Sequence, residues 1–416
     1  MSHTCGVDFG TSNSTVGYYR PDSPLLLSLE DGKPTLPSVV FFNAEDNTTT
    51  FGRAALADYL AGYEGRLMRS MKSLLGTNLM DSQTEVQGRV VAFRELLVQF
   101  MRELKQRAEQ AAETQFTQAV FGRPVYFVDD DPAADRLAES TLLELAHAAG
   151  FAHVEFQYEP IAAAFAYESG IKREELVLVI DIGGGTSDFT LVRLSPAGIN
   201  RLDRRNDILA TGGVHIGGTD FDKYLSLACV MPLLGLGTRL NNNNEVPSSY
   251  FFNLATWHTI NFAYTQKVQR ELQDVIRDAQ ERDKLTRLLK LIEQRDGHWL
   301  AQKVEEGKIA LSDMGTTQLL LDRIAPDLTH TLQRTTLNAA IEHLIDNIRN
   351  TIINLLRGSG IRFDEVDTIF LTGGSSGVPL LRKEISSMLP AARCVEGDPF
   401  GSIGAGLALD AIRRFG

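Results

Sequence analysis

Apolar runs and polar breaks alternate along this chain at spacings that predict strands and helices in turn. Residues 5–20 read as a hairpin: an apolar run to Phe9, a Gly-Thr-Ser turn and an apolar return. Residues 36–42 read as a further short strand, and a small excursion then runs to about residue 92. Over 92–115, apolar positions recur three and four apart among Leu, Glu, Gln and Arg, the pattern of an amphipathic helix. Residues 119–125 return as a buried strand, and the Ala-rich stretch 134–149 predicts a helix. A second hairpin spans 174–195, and 207–221 carries a third Gly-rich turn. The region 229–300 differs: Asn241 to Asn244 form a polar tract, and the charged helical stretch 266–295 reads as a broken hairpin, so an inserted lid is expected. The chain closes with a strand at 366–370, a Gly turn at 373–375, a helix, a strand and a terminal helix at 404–414. Strands alternating with helices make the class α/β.

Composition narrows the reading without changing it. With 416 residues, 43% hydrophobic and 23% charged, the chain is long enough for two lobes with separate cores. A formal charge of −12 and no dense Lys/Arg tract argue against nucleic acid as a partner. Cys5, Cys229 and Cys394 lie far apart, with no C-x-x-C pair, which argues against a disulfide framework and against zinc. They read as buried thiols of a reducing compartment. No basic-plus-apolar leader and no run near the roughly 18 apolar residues of a membrane span are present, so a cytoplasmic chain without membrane contact is expected.

Chemistry enters through a repeated signature. Val7-Asp8-Phe9-Gly10-Thr11-Ser12-Asn13-Ser14 and Ile180-Asp181-Ile182-Gly183-Gly184-Gly185-Thr186-Ser187-Asp188 each place an Asp at a strand end before Gly and hydroxyl residues. Glycines let backbone N–H groups approach phosphate oxygens, and Thr and Ser hydroxyls add donors. Either copy alone is equally an ordinary turn; two copies in one chain point to related halves gripping one nucleotide. Asp8 and Asp181 would repel a triphosphate unless a hard cation lay between them, a role that suits Mg²⁺.

Three further constellations bear on the site. Glu159 precedes Pro160 at the start of an Ala-rich helix, where a carboxylate also simply complements the helix dipole. Glu305, Lys308 and Ser312 are spaced three and four apart along one helical face, which an exposed salt-bridged surface explains equally well. Gly373-Gly374-Ser375 either brings backbone to a ligand or joins a strand to a helix. The acidic run Asp129-Asp130-Asp131 reads as a solvated or helix-capping turn.

In order along the chain, the Asp8 to Ser14 motif, Glu159-Pro160-Ile161-Ala162-Ala163-Ala164, the Asp181 to Thr186 motif, Ile216-Gly217-Gly218-Thr219-Asp220-Phe221-Asp222 and Leu371-Thr372-Gly373-Gly374-Ser375 resemble the successive signatures of the heat-shock chaperone ATPase family typified by DnaK. Within it the chain resembles the short YegD-like members. The resemblance implies the actin-like ATPase fold, two ribonuclease-H-like lobes with a nucleotide cleft and inserted subdomains. It places lobe I at 1–172, with a small insert at about 41–92 and a returning helix at 396–416, and lobe II at 173–395, with a lid at about 222–315. By motif position it implies ATP or ADP with Mg²⁺ as ligand, and K⁺ as a further candidate. Asp8 and Asp181 would hold the metal. Gly10, Thr11, Ser12, Asn13, Gly183, Gly184, Gly185 and Thr186 would bind phosphates, Thr186 also serving catalysis. Glu159 and Asp188 would orient the attacking water. Lys72, a solvated surface residue on any other reading, would neutralise the transferring phosphoryl group. Glu305, Lys308 and Ser312 would meet ribose and base, with Gly217, Gly218, Gly373, Gly374, Ser375 and Asp398 completing the pocket.

Departures from the pattern matter as well. Two arginines that stack on adenine in eukaryotic members stand here as Ile309 and Gly377, which predicts weaker or less adenine-selective binding. The 41–92 excursion is shorter than the family's, and the Asp-rich segment after Phe127 longer. The chain ends at Gly416, where full-length members continue into a peptide-binding module, so no such module is expected. The expectation is a slow, chaperone-type ATPase, a monomer whose cleft closure is read by an unidentified protein partner. A nucleotide-gated adaptor with negligible turnover is the alternative, and a sugar kinase or filament former a third reading.

Overall fold

Two five-stranded sheets carry the computed structural model, which describes residues 3–21, 23, 25–128 and 131–416. The first contains β1 (Thr4–Phe9), β2 (Asn13–Gly17), β3 (Thr35–Pro37), β4 (Gln118–Arg123) and β5 (His153–Tyr158), in the order β5-β4-β1-β2-β3. The second contains β6 (Glu175–Ile182), β7 (Ser187–Leu194), β8 (Ile208–Val214), β9 (Thr368–Thr372) and β10 (Arg393–Glu396), in the order β8-β7-β6-β9-β10. In each sheet three strands form an antiparallel meander. Two more strands extend it in parallel on the other side. One topology is therefore used twice, and each copy begins with a hairpin whose loop lies at the same end of its sheet.

The single strand expected over 36–42 is two strands in different sheets. Thr35–Pro37 pairs with β2, whereas Val39–Asn43 pairs with Thr49–Phe51 and Gly65–Arg69. Ser38 is the pivot. Its amide donates to the Ser12 carbonyl at 2.9 Å, and its hydroxyl donates to the Gly10 carbonyl at 2.7 Å and lies 2.9 Å from Ser14 Oγ. An apolar run reports burial and carries no signal of a change of sheet. Much of the Gly-rich stretch 207–221 is likewise strand, since β8 continues through Gly212 and Gly213 before the turn.

The helix Phe93–Ala112 buries the stripe Leu96, Leu97, Phe100, Met101, Leu104 and Ala108 against the first sheet and ends at Glu113 in a left-handed conformation. Asp131 caps the helix Pro132–Ala148 through the amides of Ala133 and Ala134; Asp129 and Asp130 lie outside the described residues. The second core runs without a break from Ile180 and Phe189 on the sheet through Phe221 and Leu254 to Leu285 and Leu300, so the helices of 218–313 share the apolar interior of the sheet beneath them. The charged stretch 266–295 is the expected helical pair, Gln266–Asp278 and Arg282–Glu293.

Two helices tie the halves together. Glu159–Ala163 packs Ile161 and Ala163 against Val177, Val179 and Phe370 of the second half, and Ala162 against Leu407 and Ala411 of the final helix, Ser402–Phe415. That final helix lies on the first sheet because Gly6 and Gly17 offer it no side chain: a β-carbon at Gly6 would collide with the Leu407 backbone, and one at Gly17 with the Gly404 carbonyl. Among the described residues no helix is long and apolar enough to cross a membrane.

Candidate functional site

The two hairpin loops face each other. In the first, Asp8 lies across from Thr15; in the second, Asp181 lies across from Asp188 and Ile182 from Ser187. Between these strand ends, Gly10, Thr11 and Ser12 form one loop, and Gly183, Gly184, Gly185 and Thr186 the other. They touch, since a β-carbon on Gly184 would stand 2.7 Å from Ser12 Oγ. Asn13 opens β2 directly beside this contact.

Two more turns close around the second loop. Gly218 N–H donates to the Gly183 carbonyl at 3.0 Å, and the Thr219 amide and hydroxyl both donate to the Gly184 carbonyl at 2.8 Å. A side chain at Gly217 would fall 2.6 Å from the Gly184 carbonyl and the Gly185 amide. Gly373, at φ +85°, adopts a conformation that favours glycine, and a β-carbon there would collide with Asp181 Oδ1. Ser375 N–H donates to the Ile182 carbonyl at 3.0 Å. Gly185 has open space beside it. The result is a cluster of glycine turns in which amides and hydroxyls come close together, a composition that suits phosphate oxygens.

Its floor is acidic. Burial first, then Glu159, pushes the Asp8 carboxyl up to about 7 against the pull of Lys72. Burial, then Asp188, Glu159 and Asp8, pushes Asp181 up to about 8, with Lys72 again opposing. Lys72 donates to Glu159 Oε1 at 2.7 Å; burial alone would depress its ammonium, but Glu159, Asp8 and Asp181 outweigh that and raise it. Thr186 Oγ1 donates to Asp188 Oδ2 at 3.0 Å. One lysine thus answers several crowded carboxylates, and a hard divalent cation fits this donor set. Among the described residues no three His, Cys, Asp or Glu side chains converge as a self-sufficient metal cage. Mg²⁺ commonly takes one or two carboxylates and completes its shell with phosphate oxygens and water, so two aspartates beside an anion cradle are sufficient.

A second polar group lies on the far side of Gly218. Lys308 donates to the Gly218 carbonyl at 3.0 Å and to Asp222 Oδ2 at 2.8 Å. Asp222 Oδ1 is buried without a hydrogen-bond partner, and burial lifts this carboxyl to about 6, Lys308 opposing and Glu305 assisting. A β-carbon on Gly377 would stand 3.9 Å from Ser312 Oγ, so the helix Gly297–Asp313 and the Gly373–Gly377 turn border one space. Glu305 lies on the exposed side of that helix, and Ile309 is 57% exposed.

Asp398 lies in the turn before the last helix. Its carboxylate accepts from the Phe400 amide at 3.0 Å, and its carbonyl takes the Ser402 hydroxyl at 2.8 Å, so it starts the last helix. Its link to the glycines runs through Phe400, whose ring lies 2.5 Å from where a Gly374 β-carbon would be.

Three residues that hold the site carried no role in the sequence reading. Ser38 was hidden inside an apolar run. Thr219 and Asp222 lie within a recognised Gly-rich motif, yet hydroxyls and carboxylates in such a motif look the same whether they bind ligand or brace the loop.

Residues 4–231 and 272–412 match the family model described as Hsp70 protein. The chain belongs to the Hsp70 family. Its two matched sheets are those of the actin-like ATPase fold of that family. Among similar relatives are the heat shock 70 kDa protein 6, chloroplastic, of Arabidopsis thaliana, 24% identical over 98% of this chain and 51% of the relative. The stromal 70 kDa heat shock-related protein, chloroplastic, of Pisum sativum is 23% identical over 98% and 52%. The chaperone protein HscA of Citrobacter koseri is 25% identical over 98% and 58%. This Hsp70-family chain therefore spans about half the length of the curated relatives it matches, and carries the ATP-binding part of the family's architecture.

Proposed function

We propose that this chain binds Mg²⁺·ATP between its two lobes, bounded at about 1–172 and 173–395, and hydrolyses it slowly, the change in cleft closure being read by a partner protein. The observation that carries the reading is the meeting of a glycine cradle with an acidic floor served by one lysine. The short YegD-like members of the family are the proposed subtype, and a monomer the proposed state.

Roles follow from position. The amides of Gly10 to Asn13 and Gly183 to Thr186 would bind phosphates, and Asp8 and Asp181 would hold Mg²⁺. Bound Mg²⁺ would draw negative charge from the phosphate oxygens during transfer. Lys72, already raised in pKa by its carboxylate neighbours, presents a permanent positive charge to a γ-phosphoryl group. Glu159, held by Lys72, and Asp188, held by Thr186, would align a water and accept its proton. Lys308, with Glu305 and Ser312 on the same helix, would meet the nucleoside, and Lys308 comes braced by Asp222.

Single-turnover release of γ-phosphate with Mg²⁺ tests the reading, wild type beside Lys72→Ala. Slow release in the wild type that falls about 10²- to 10³-fold in the variant, with nucleotide binding retained, is expected. The exposed Ile309, on the helix that borders the nucleoside space, favours the second reading, an adaptor that binds nucleotide and does not turn over. Binding without release in the wild type would establish it.

A further inference from the structure

The two halves meet a second time, away from the phosphate loops. Helix Gly52–Leu60 and strand Gly65–Arg69 come from the first half; the segment Trp257–Tyr264 and helix Gly297–Asp313 come from the second. His298, only 5% exposed, lies where they touch. The Tyr59 ring meets it edge-on at 4.8 Å between centroids, Trp257 does so at 4.8 Å, and Tyr264 lies at 6.4 Å. Tyr59 Oη donates to Asn261 Oδ1 at 3.1 Å and lies 3.3 and 3.4 Å from the two imidazole nitrogens. The Arg69 guanidinium covers the Trp257 ring at 4.6 Å. Tyr59 is itself anchored in its own half by Phe41.

This contact is wired to the candidate site at both ends. Arg69 leads through Ser70, held at φ +56°, and Met71 directly into Lys72. His298 sits on the helix that carries Glu305 and Lys308, and Glu305 acts on Arg69 across the gap.

The imidazole is poorly placed to carry charge. Burial pushes His298 down to about 4; a backbone hydrogen bond to Trp257 opposes this and Arg69 reinforces it. The charged and titratable groups that face it are Tyr59 and Arg69 from the first half and Tyr264 from the second; one step further out, Arg295 acts on Tyr59, Asp296 on Tyr264 and Glu305 on Arg69. Asp296 is engaged by Arg323 at 2.8 Å, and among the described residues no carboxylate forms an ion pair with His298.

We propose that Tyr59, Arg69, Trp257 and His298 form a proton-sensitive clasp that holds the two lobes shut over bound nucleotide and parts when the imidazole is protonated. The inference rests on the nucleotide-cleft reading above. Opening returns the ring to water, where it regains an ordinary affinity for protons. Acid therefore favours the open form, and the bias grows as pH falls from about 6.5 toward 4.

Two readouts on the full chain test it. The first is release of N-methylanthraniloyl-ADP with Mg²⁺, expected to quicken about tenfold between pH 7.5 and 5.5, because the closed form loses that much weight as the opened imidazole protonates. His298→Phe keeps an aromatic ring that cannot titrate, and should release slowly at both pH values. Tyr59→Phe, which removes the shared hydroxyl, should release a few-fold faster while keeping the pH slope. The second readout needs no nucleotide: Trp257 fluorescence in a Trp299→Phe background, expected to titrate between pH 4 and 6.5 and to go flat when His298→Phe is added. A flat wild-type titration, one unchanged by His298→Phe, or a titration with no matching change in release overturns the clasp. If nucleotide fails to bind at all, the nucleotide-cleft reading fails, and with it the gating role, while the fluorescence titration alone decides whether the contact opens with acid.

Discussion

Two clusters of buried charge in this molecule are built on opposite terms. Around Arg204, cations and carboxylates match. The guanidinium donates to both Glu168 oxygens at 2.9 and 2.7 Å and again to Asp207, which also takes Arg201 at 2.6 Å. The Ser195 amide adds a further donor to Glu168 at 3.1 Å. Around Lys72 they do not match: Asp8, Glu159 and Asp181 all act on one ammonium, and Asp188 crowds Asp181 from the facing strand. Like charges directly opposite in a hairpin are unfavourable, and stability alone gives no reason to place them there. A closed network braces the fold; an open one is what the proposed Mg²⁺ site would need. Perturbed carboxylates beside glycine loops mark a candidate functional site for this reason.

The difference can be broken from the structural side first. Arg204→Ala leaves Glu168 buried without a cation and Asp207 with Arg201 alone, and should cost about 3–5 kcal/mol of stability, enough to lower the thermal midpoint sharply or prevent folding. A variant that melts like the wild type would mean that the Arg204 network does not brace the fold. In the open cluster the same loss of one cation should act chiefly on chemistry: Lys72→Ala is expected to slow single-turnover phosphate release about 10²- to 10³-fold and, by leaving Glu159 unanswered, to lower the melting of the ligand-free protein by less than Arg204→Ala does. If it unfolds the protein, Lys72 is a brace like Arg204.

A smaller effect has the opposite sign. Asp181→Asn removes a carboxyl that burial and its neighbours push up to about 8, and should stabilise the ligand-free protein at neutral pH by about 2 kcal/mol while weakening the gain in stability that Mg²⁺·ADP confers. Differential scanning calorimetry with and without ligand measures both, and destabilisation of the ligand-free variant would count against a cation-short site. The smallest effect concerns a group that avoids charge altogether. His298 is depressed to about 4, so between pH 6.5 and 4 the unfolded chain binds a proton that the folded chain does not. Stability is therefore full above 6.5 and lost as pH falls, by about 1 kcal/mol between pH 7 and 5.5. Parallel urea titrations of wild type and His298→Phe at the two pH values should differ by that amount, and identical acid losses would mean the histidine does not report folding.

Much of the candidate site was legible because its chemistry is local. The Asp8 and Asp181 hairpins, the Glu159-Pro160 helix start and the Gly373-Gly374 turn each fit within a few residues, and the geometry that lets backbone approach a ligand demands glycine at fixed offsets. The long helices were legible for the same reason, since an amphipathic period of 3.6 is written along one stretch of chain. Ser38 was not, because its hydrogen bonds go to a loop more than twenty residues earlier and the run around it is uniformly apolar. Nor was the distinction between Lys308, braced by Asp222, and an exposed lysine on the same kind of helix.

By itself, then, the sequence determined the α/β class, the doubled hairpin, the glycine loops and the carboxylates they carry, because propensity, periodicity and turn chemistry act between near neighbours. Only the tertiary structure decided which charges are answered. Arg204 and Lys72 look alike along the chain, and each is distinguished by partners far from it in sequence: Glu168 for one, Asp8, Glu159 and Asp181 for the other. The meeting of Tyr59 with His298 belongs to the same kind of fact, as neither residue has meaning until two halves of the chain close on each other. Burial and Coulomb energy depend on distance in space, and the order of residues fixes that distance only through the completed fold.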